Sequence, residues 1–261
     1  MNQFATYEEE NIHYWTNRAP GYSGVNQEEL ASDQKSVWGR QISRRIAAHF
    51  PGREPKTIRV LDVGTGPGFF AIILAQMGYN VSAVDYTASM LEEAKRNAGI
   101  LASRIHFRQM NAEDLSFASG SFDVVVTRNV TWNLHHPANA YAHWTRVLAP
   151  GGLLLNFDAN WYRYLWDEDA KLGHAQDRKN LAVSDVRDEN AGTDVNAMEA
   201  IARQTPLSHQ RRPAWDLNIL QQLGVQASAD EGIWQEVWTK EERINNASTP
   251  MFLIEAVKPL S

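Results

Sequence analysis

The chain is expected to fold as an α/β domain around a mainly parallel, doubly wound sheet. Three observations predict this. Short apolar, β-branched runs such as Val60–Val63 and Asn80–Val84 alternate with longer stretches that are apolar at helical spacing. A buried-strand signature, Val60-Leu61-Asp62-Val63, runs through three alternate glycines, Gly64, Gly66 and Gly68, into an apolar helix over Phe69–Met77, the start of a βαβ unit. No internal repeat or low-complexity tract interrupts the 261 residues, so one domain spanning 1–261 is expected.

The glycine-rich turn is the first candidate for chemistry. Missing side chains let backbone approach a ligand, and the N–H groups at the following helix start point at it. The spacing is G-x-G-x-G rather than the G-x-G-x-x-G of dinucleotide folds, and acidic Asp62 stands two residues before the first glycine. A second carboxylate, Asp85, ends the second strand about 20 positions after Gly64, the separation at which an acid reaches ribose hydroxyls. An acid there argues against a 2′-phosphate. The pattern resembles the first motif of class I S-adenosylmethionine-dependent methyltransferases, [D/E]-x-G-x-G-x-G. Tyr86 to Leu91 is similar to that family's D-x-S-x-x-M-L, which implies that Met90 packs on adenine, though an ordinary core position is the alternative.

In chain order, Tyr14, Trp15, Arg18 and Tyr22 resemble the family's N-terminal lid, W-x-x-R-A-x-x-Y; a surface loop with tucked aromatics is the alternative. A helix is expected over roughly Gln27–Phe50, ended by Pro51-Gly52. Ala88–Ala98 is a further helix with Gly99 as its cap, and Ile105–Gln109 alternates as the third strand. Met110 to Phe117 resembles the family's G-D-A-E-x-L-P-F, in which an acid and an alanine N–H read adenine. Here Asn111 replaces the acid, and its carbonyl would accept instead, beside Ala112. Ser121–Asn129 is the fourth strand, so Arg128, Asn129, Trp132 and Asn133 fall at the carboxyl ends of the strands. The resemblance implies that backbone near Arg128 and Asn129 holds the methionine end, and that Trp132 and Asn133 face the acceptor.

His135-His136-Pro137 admits three readings: His136 begins a helix with proline at its first position, faces the substrate as a base, or joins a metal pair. No third ligand stands nearby, and no metal site is expected. The phrase Arg146-Val147-Leu148-Ala149-Pro150-Gly151-Gly152, followed by Leu153–Phe157, resembles the family's helix, turn and fifth strand. Trp161 opens an aromatic cluster, and the polar segment 167–204 reads as a substrate cover, an oligomer contact or a loop. A helix ends at Leu223-Gly224. Trp234–Trp238 and Met251–Val257 read as the last two strands, joined by a loop over Thr239–Pro250.

Composition narrows the function. No cysteine is present, which excludes disulfides and thiolate chemistry and makes a cytoplasmic protein the default. No run approaches the ~20 apolar residues of a membrane span, and the acidic N-terminal stretch lacks a signal's apolar core. A formal charge of −6 without a long basic run disfavours nucleic acid. Nine tryptophans are many for one chain, and some are expected to line a pocket.

The resemblance implies a Rossmann-like, seven-stranded sheet with an antiparallel last strand, a helical lid at 1–50, a cofactor-binding core at 58–158, a substrate-cover insertion at 159–210, and the last helix and strands at 211–261. It implies in-line methyl transfer from S-adenosylmethionine to a small molecule, giving S-adenosylhomocysteine, as in ubiquinone and menaquinone biosynthesis methyltransferases. A homodimer is an open expectation. Candidate bases are His136, His135, Asp158 and Tyr22. Rival readings are an RNA-directed methyltransferase, a non-catalytic S-adenosylmethionine binder and a nicotinamide-dependent oxidoreductase.

Overall fold

Residues 4–260 are described, in a computed structural model. Seven strands form one sheet: β1 (Arg59–Val63), β2 (Asn80–Asp85), β3 (Ile105–Gln109), β4 (Phe122–Arg128), β5 (Leu148–Asp158), β6 (Gln226–Asp230) and β7 (Phe252–Val257). Their order is β3-β2-β1-β4-β5-β7-β6. The first five are parallel, and β7 is antiparallel to both β5 and β6. The expected sheet, including its reversed last strand, is present. Strand order changes direction between β1 and β4, and it is beyond the carboxyl ends at such a point that open α/β sheets hold ligands.

The helices are α1 (Tyr7–Ala31), α2 (Gln34–His49), α3 (Phe69–Gln76), α4 (Ala88–Ala98), α5 (Pro137–Val147), α6 (Glu168–Ala182), α7 (Val195–Ala202), α8 (Ala214–Gln222), α9 (Trp234–Val237) and α10 (Lys240–Asn245). Central strands are buried on both faces, so successive residues feed two cores. Val60, Val124, Val126, Leu153 and Leu155 pack under Trp38 and Ile42 of α2 and Phe70 and Ile73 of α3. Leu61, Val63, Val125 and Leu154 pack under Tyr141 and Trp144 of α5 and Leu220 of α8. Burying each aliphatic side chain stabilises the domain by roughly 1.5–3 kcal/mol, which is why these strands read as continuous apolar runs.

Three expectations are corrected. The predicted helix over Gln27–Phe50 is two helices, because Ser32 turns the chain and its Oγ accepts from Gln34 N–H at 3.2 Å. The lid residues lie within α1, and the helix continues through Pro20. Its start is fixed by Thr6, whose hydroxyl accepts from Glu9 N–H, and by three glutamates in the first turn that favour the dipole. The predicted strand at Trp234–Trp238 is the short helix α9, with Val237 and Trp238 in the core against α2. The sixth strand is instead Gln226–Asp230, directly after α8. The predicted loop at Thr239–Pro250 contains α10, started by a reciprocal capping box between Thr239 and Glu242.

Candidate functional site

The carboxyl ends of β1, β2 and β4 converge on the glycine turn. Gly64, Gly66 and Gly68 have φ of 65°, 52° and 96°, the left-handed region that only glycine enters freely. At Gly64 a Cβ would also lie 2.4 Å from Val130 Cγ2. The turn is pinned by the two predicted carboxylates. Asp62 Oδ2 accepts from Thr65 Oγ at 2.6 Å and from Ala71 N–H at 3.0 Å. Burial pushes its pKa up to about 7 against those hydrogen bonds. Asp85 accepts from Gly66 N–H and Thr87 N–H, both at 2.9 Å, and burial likewise raises it. Asp62 therefore shapes the turn from beneath, and Asp85 ties the end of β2 to it.

Beside them, Met90 is buried on α4 and Tyr86 is half-exposed. Asn111 Oδ1 accepts from Glu113 N–H at 2.9 Å, so the carbonyl expected to read adenine folds its own loop. The Ala112 carbonyl accepts from Trp144 Nε1 at 2.9 Å.

The second half of the site is a cleft of about 870 Å³. Tyr14, Trp15, Arg18 and Tyr22 of α1 form one wall. Arg128, Asn129, Trp132 and Trp161 close its sheet end, and the segment after β5 with α6 and α10 covers the far side. Of the predicted substrate residues, those five aromatics and Arg18 reach the cleft. Asn133 does not line it; it bonds Asn11 and Tyr7 behind the wall. His136 is exposed outside, and it sits at the N-terminus of α5 with Pro137 next, as the capping reading has it; its N–H donates to Glu113. The glycine turn and the cleft meet at Tyr22, which lines the cleft and whose ring lies 3.5 Å from where a Gly66 Cβ would stand.

Arg128 holds α1 to the sheet. Its guanidinium pairs with both oxygens of Glu29, at 2.8 and 2.9 Å, and lies over the rings of Trp38, Phe69 and Phe70. Burial alone would make this arginine easier to deprotonate; Glu29 outweighs that and keeps it charged. Asn129 adopts φ 58°, which presents its carbonyl to Trp132 Nε1 at 2.9 Å and its Oδ1 to Trp161 Nε1 at 3.2 Å. One residue thus orients both indoles.

The candidate bases fare poorly. Asp158 is fully buried, pairs with Arg212 at 2.7 Å and accepts from Trp132 N–H at 3.0 Å, so it is committed to structure. Burial raises the Tyr22 hydroxyl against the pull of Arg128. His135 stacks on Tyr7, ring centres 4.9 Å apart. Sequence reasoning missed Glu29, from the helix expected over Gln27–Phe50, and Arg178, His174 and Glu242, which come to the cleft from segments read as cover or loop. A signal existed for Glu242 alone: Thr239-x-x-Glu242 is a helix-start pattern.

Comparison with known proteins now adds to this geometry. Residues 61–156 match the family model described as a methyltransferase domain. The chain is 34% identical over 106 residues to the ubiquinone biosynthesis O-methyltransferase of Caulobacter sp. (strain K31), covering 40% of this chain and 42% of that one. It is 34% identical over 137 residues to the demethylmenaquinone methyltransferase of Renibacterium salmoninarum, covering 52% and 53%. In those alignments it spans about half the length of the curated relatives. Among solved structures, the protein in complex with the Haloferax volcanii Trm112 methyltransferase activator superposes with a TM-score of 0.59 at 16% identity, over 94% of this chain and 97% of that one. The [4+2]-cyclase SpnF superposes at 0.51 and 17% identity, over 85% and 82%. These likenesses establish the fold and no more, and one of the two structures is a cyclase.

Proposed function

We propose that this chain, which resembles the quinone-biosynthesis methyltransferases and carries a methyltransferase domain at residues 61–156, transfers a methyl group from S-adenosylmethionine to a small molecule. The observation that carries the reading is the glycine turn: three side-chain-free positions with positive φ, roofed by Tyr22 and closed at one end by Asp85. The residues present fit the cofactor. Asp85 retains lone pairs for a ribose diol, Met90 offers an apolar side chain, and the backbone of Arg128 and Asn129, at the carboxyl end of β4, would hold the methionine end.

S-adenosylmethionine supplies a methyl group on an already activated sulfonium. The protein's own tasks are therefore alignment and exclusion of water. Tyr14, Trp15, Trp132 and Trp161 wall the acceptor, and Asn129 sets the angle of two of these indoles. The cysteine-free composition supports a cytoplasmic setting. Among the described residues no helix is long and apolar enough to cross a membrane.

Calorimetry with S-adenosylhomocysteine tests the reading. The wild type binds it, and Asp85→Asn, which keeps the shape but exchanges an acceptor for a donor, weakens binding by roughly tenfold or more while thermal unfolding stays cooperative. Wild-type affinity in that variant would refute the role given to Asp85. No binding by the wild type would refute the function.

A further inference from the structure

The cleft carries more negative charge than its own cations neutralise. Among the described residues, seven carboxylates and four arginines line it, and no lysine does. Three of the arginines are already spent on Glu29, Asp188 and Glu28. Glu242 is held at one oxygen by Thr239 N–H at 2.7 Å and pairs with no cation among the described residues. Its burial pushes its acid up to about 7, a carboxylate that a ligand cation would relieve. The same cleft is lined by aromatic rings, whose faces attract cations; Arg18 already lies 5.9 Å from the centre of Tyr22.

Resting on the methyl-transfer reading, we propose that the acceptor is an alkyl-substituted amine, bound as its ammonium between the indoles of Trp15 and Trp161 and the carboxylate of Glu242. The charge balance favours nitrogen. The bound ammonium gives one proton to Glu242, which passes it to solvent. The freed nitrogen lone pair forms a bond to the methyl carbon as the carbon–sulfur bond breaks, and that bond's electrons stay on sulfur. One positive charge thereby moves from the cofactor side into the cleft, where carboxylates and ring faces stabilise it. A phenolate or thiolate would instead enter as an anion among excess carboxylates. A neutral phenol would bring no positive charge to offset the excess carboxylates.

The test starts from protein loaded with S-adenosylhomocysteine, its binding confirmed by calorimetry. Absence of that binding indicts the methyl-transfer reading itself. Tryptophan fluorescence is then titrated with benzyltrimethylammonium, its neutral isostere neopentylbenzene, and benzoate. The cation is expected to bind roughly tenfold or more tighter than either, and Glu242→Gln to cost the cation about fivefold while the S-adenosylhomocysteine affinity stays unchanged. Turnover of N-methylbenzylamine should exceed that of catechol and of benzyl mercaptan. Equal binding of the three probes, no response to any, an unaffected Glu242→Gln, or preferred turnover of catechol or the thiol would each overturn the proposal.

Discussion

At the scale of single residues, Gly64 shows how closely the glycine turn is fitted to its surroundings. Alanine there would combine a φ of 65° with a methyl 2.4 Å from Val130 Cγ2. The strain and overpacking together should cost about 2–4 kcal/mol, and Val130→Ala in the same chain should recover part of it by removing the clash but not the backbone strain. Urea titrations of the single and double variants measure both terms. Full recovery would mean that φ contributes nothing. The glycines, Asp62 and Asp85 were legible in the sequence because each is demanded by local backbone or by its position at a strand end. Asn111 was placed rightly in its loop, yet its carbonyl is engaged by Glu113 N–H, a short-range turn bond that competes with any ligand and that spacing does not report.

At the scale of elements, the legible parts were those with strong periodicity. β1, β2, β4, β5 and α3 stand where the apolar runs put them, since burial on both faces leaves an unbroken signal. β6 was missed because Gln226-Ala-Ser-Ala-Asp is small and polar. It is an edge strand, and its place is set by pairing with β7 rather than by its own composition. Trp234–Trp238 misled for the opposite reason: aromatic and β-branched residues at close spacing suit a strand, but they cover α2 as one helical turn. One buried ion pair ties α1 to the sheet. Glu29→Gln would leave the Arg128 guanidinium buried against three rings without its counter-charge, a loss of about 3–5 kcal/mol for a pair of this burial. Limited proteolysis should then cut at the α1–α2 junction near Ser32 faster than in the wild type. Unchanged cleavage would show that packing on α4 suffices to hold the helix.

At the scale of the whole molecule, the region after β5 is where prediction ended. The chain leaves the repeating βα pattern at Asp158, and three distant stretches are tied there by one buried network. Arg212 bonds Asp158 and Asp216, Tyr141 donates to Asp216, and Asn156 donates to Tyr141 and Thr131. Apart from Arg212–Asp216, which are four residues apart, every link is long-range, so no local pattern announces the network. Arg212 is fully enclosed with two carboxylates, and its removal would strand both. Arg212→Ala should lower stability by more than about 4 kcal/mol, read as a loss of soluble folded protein or a drop in unfolding midpoint. Arg212→Ala with Asp158→Asn and Asp216→Asn should be more stable than the single variant, because no buried charge is then left alone. The reverse order would mean the arginine acts mainly by filling space.

One feature of α1 carries a kinetic meaning. The same rigid helix lays Tyr22 on the glycine turn and contributes Tyr14, Trp15 and Arg18 to the neighbouring cleft. On the proposed function, a nucleoside can be seated only while that helix is lifted, and the pocket for its co-substrate is complete only once the helix is down. Turnover should then follow a compulsory sequence, with the nucleoside first on and its thioether last off. In product-inhibition plots S-adenosylhomocysteine would compete with the methyl donor and not with the acceptor.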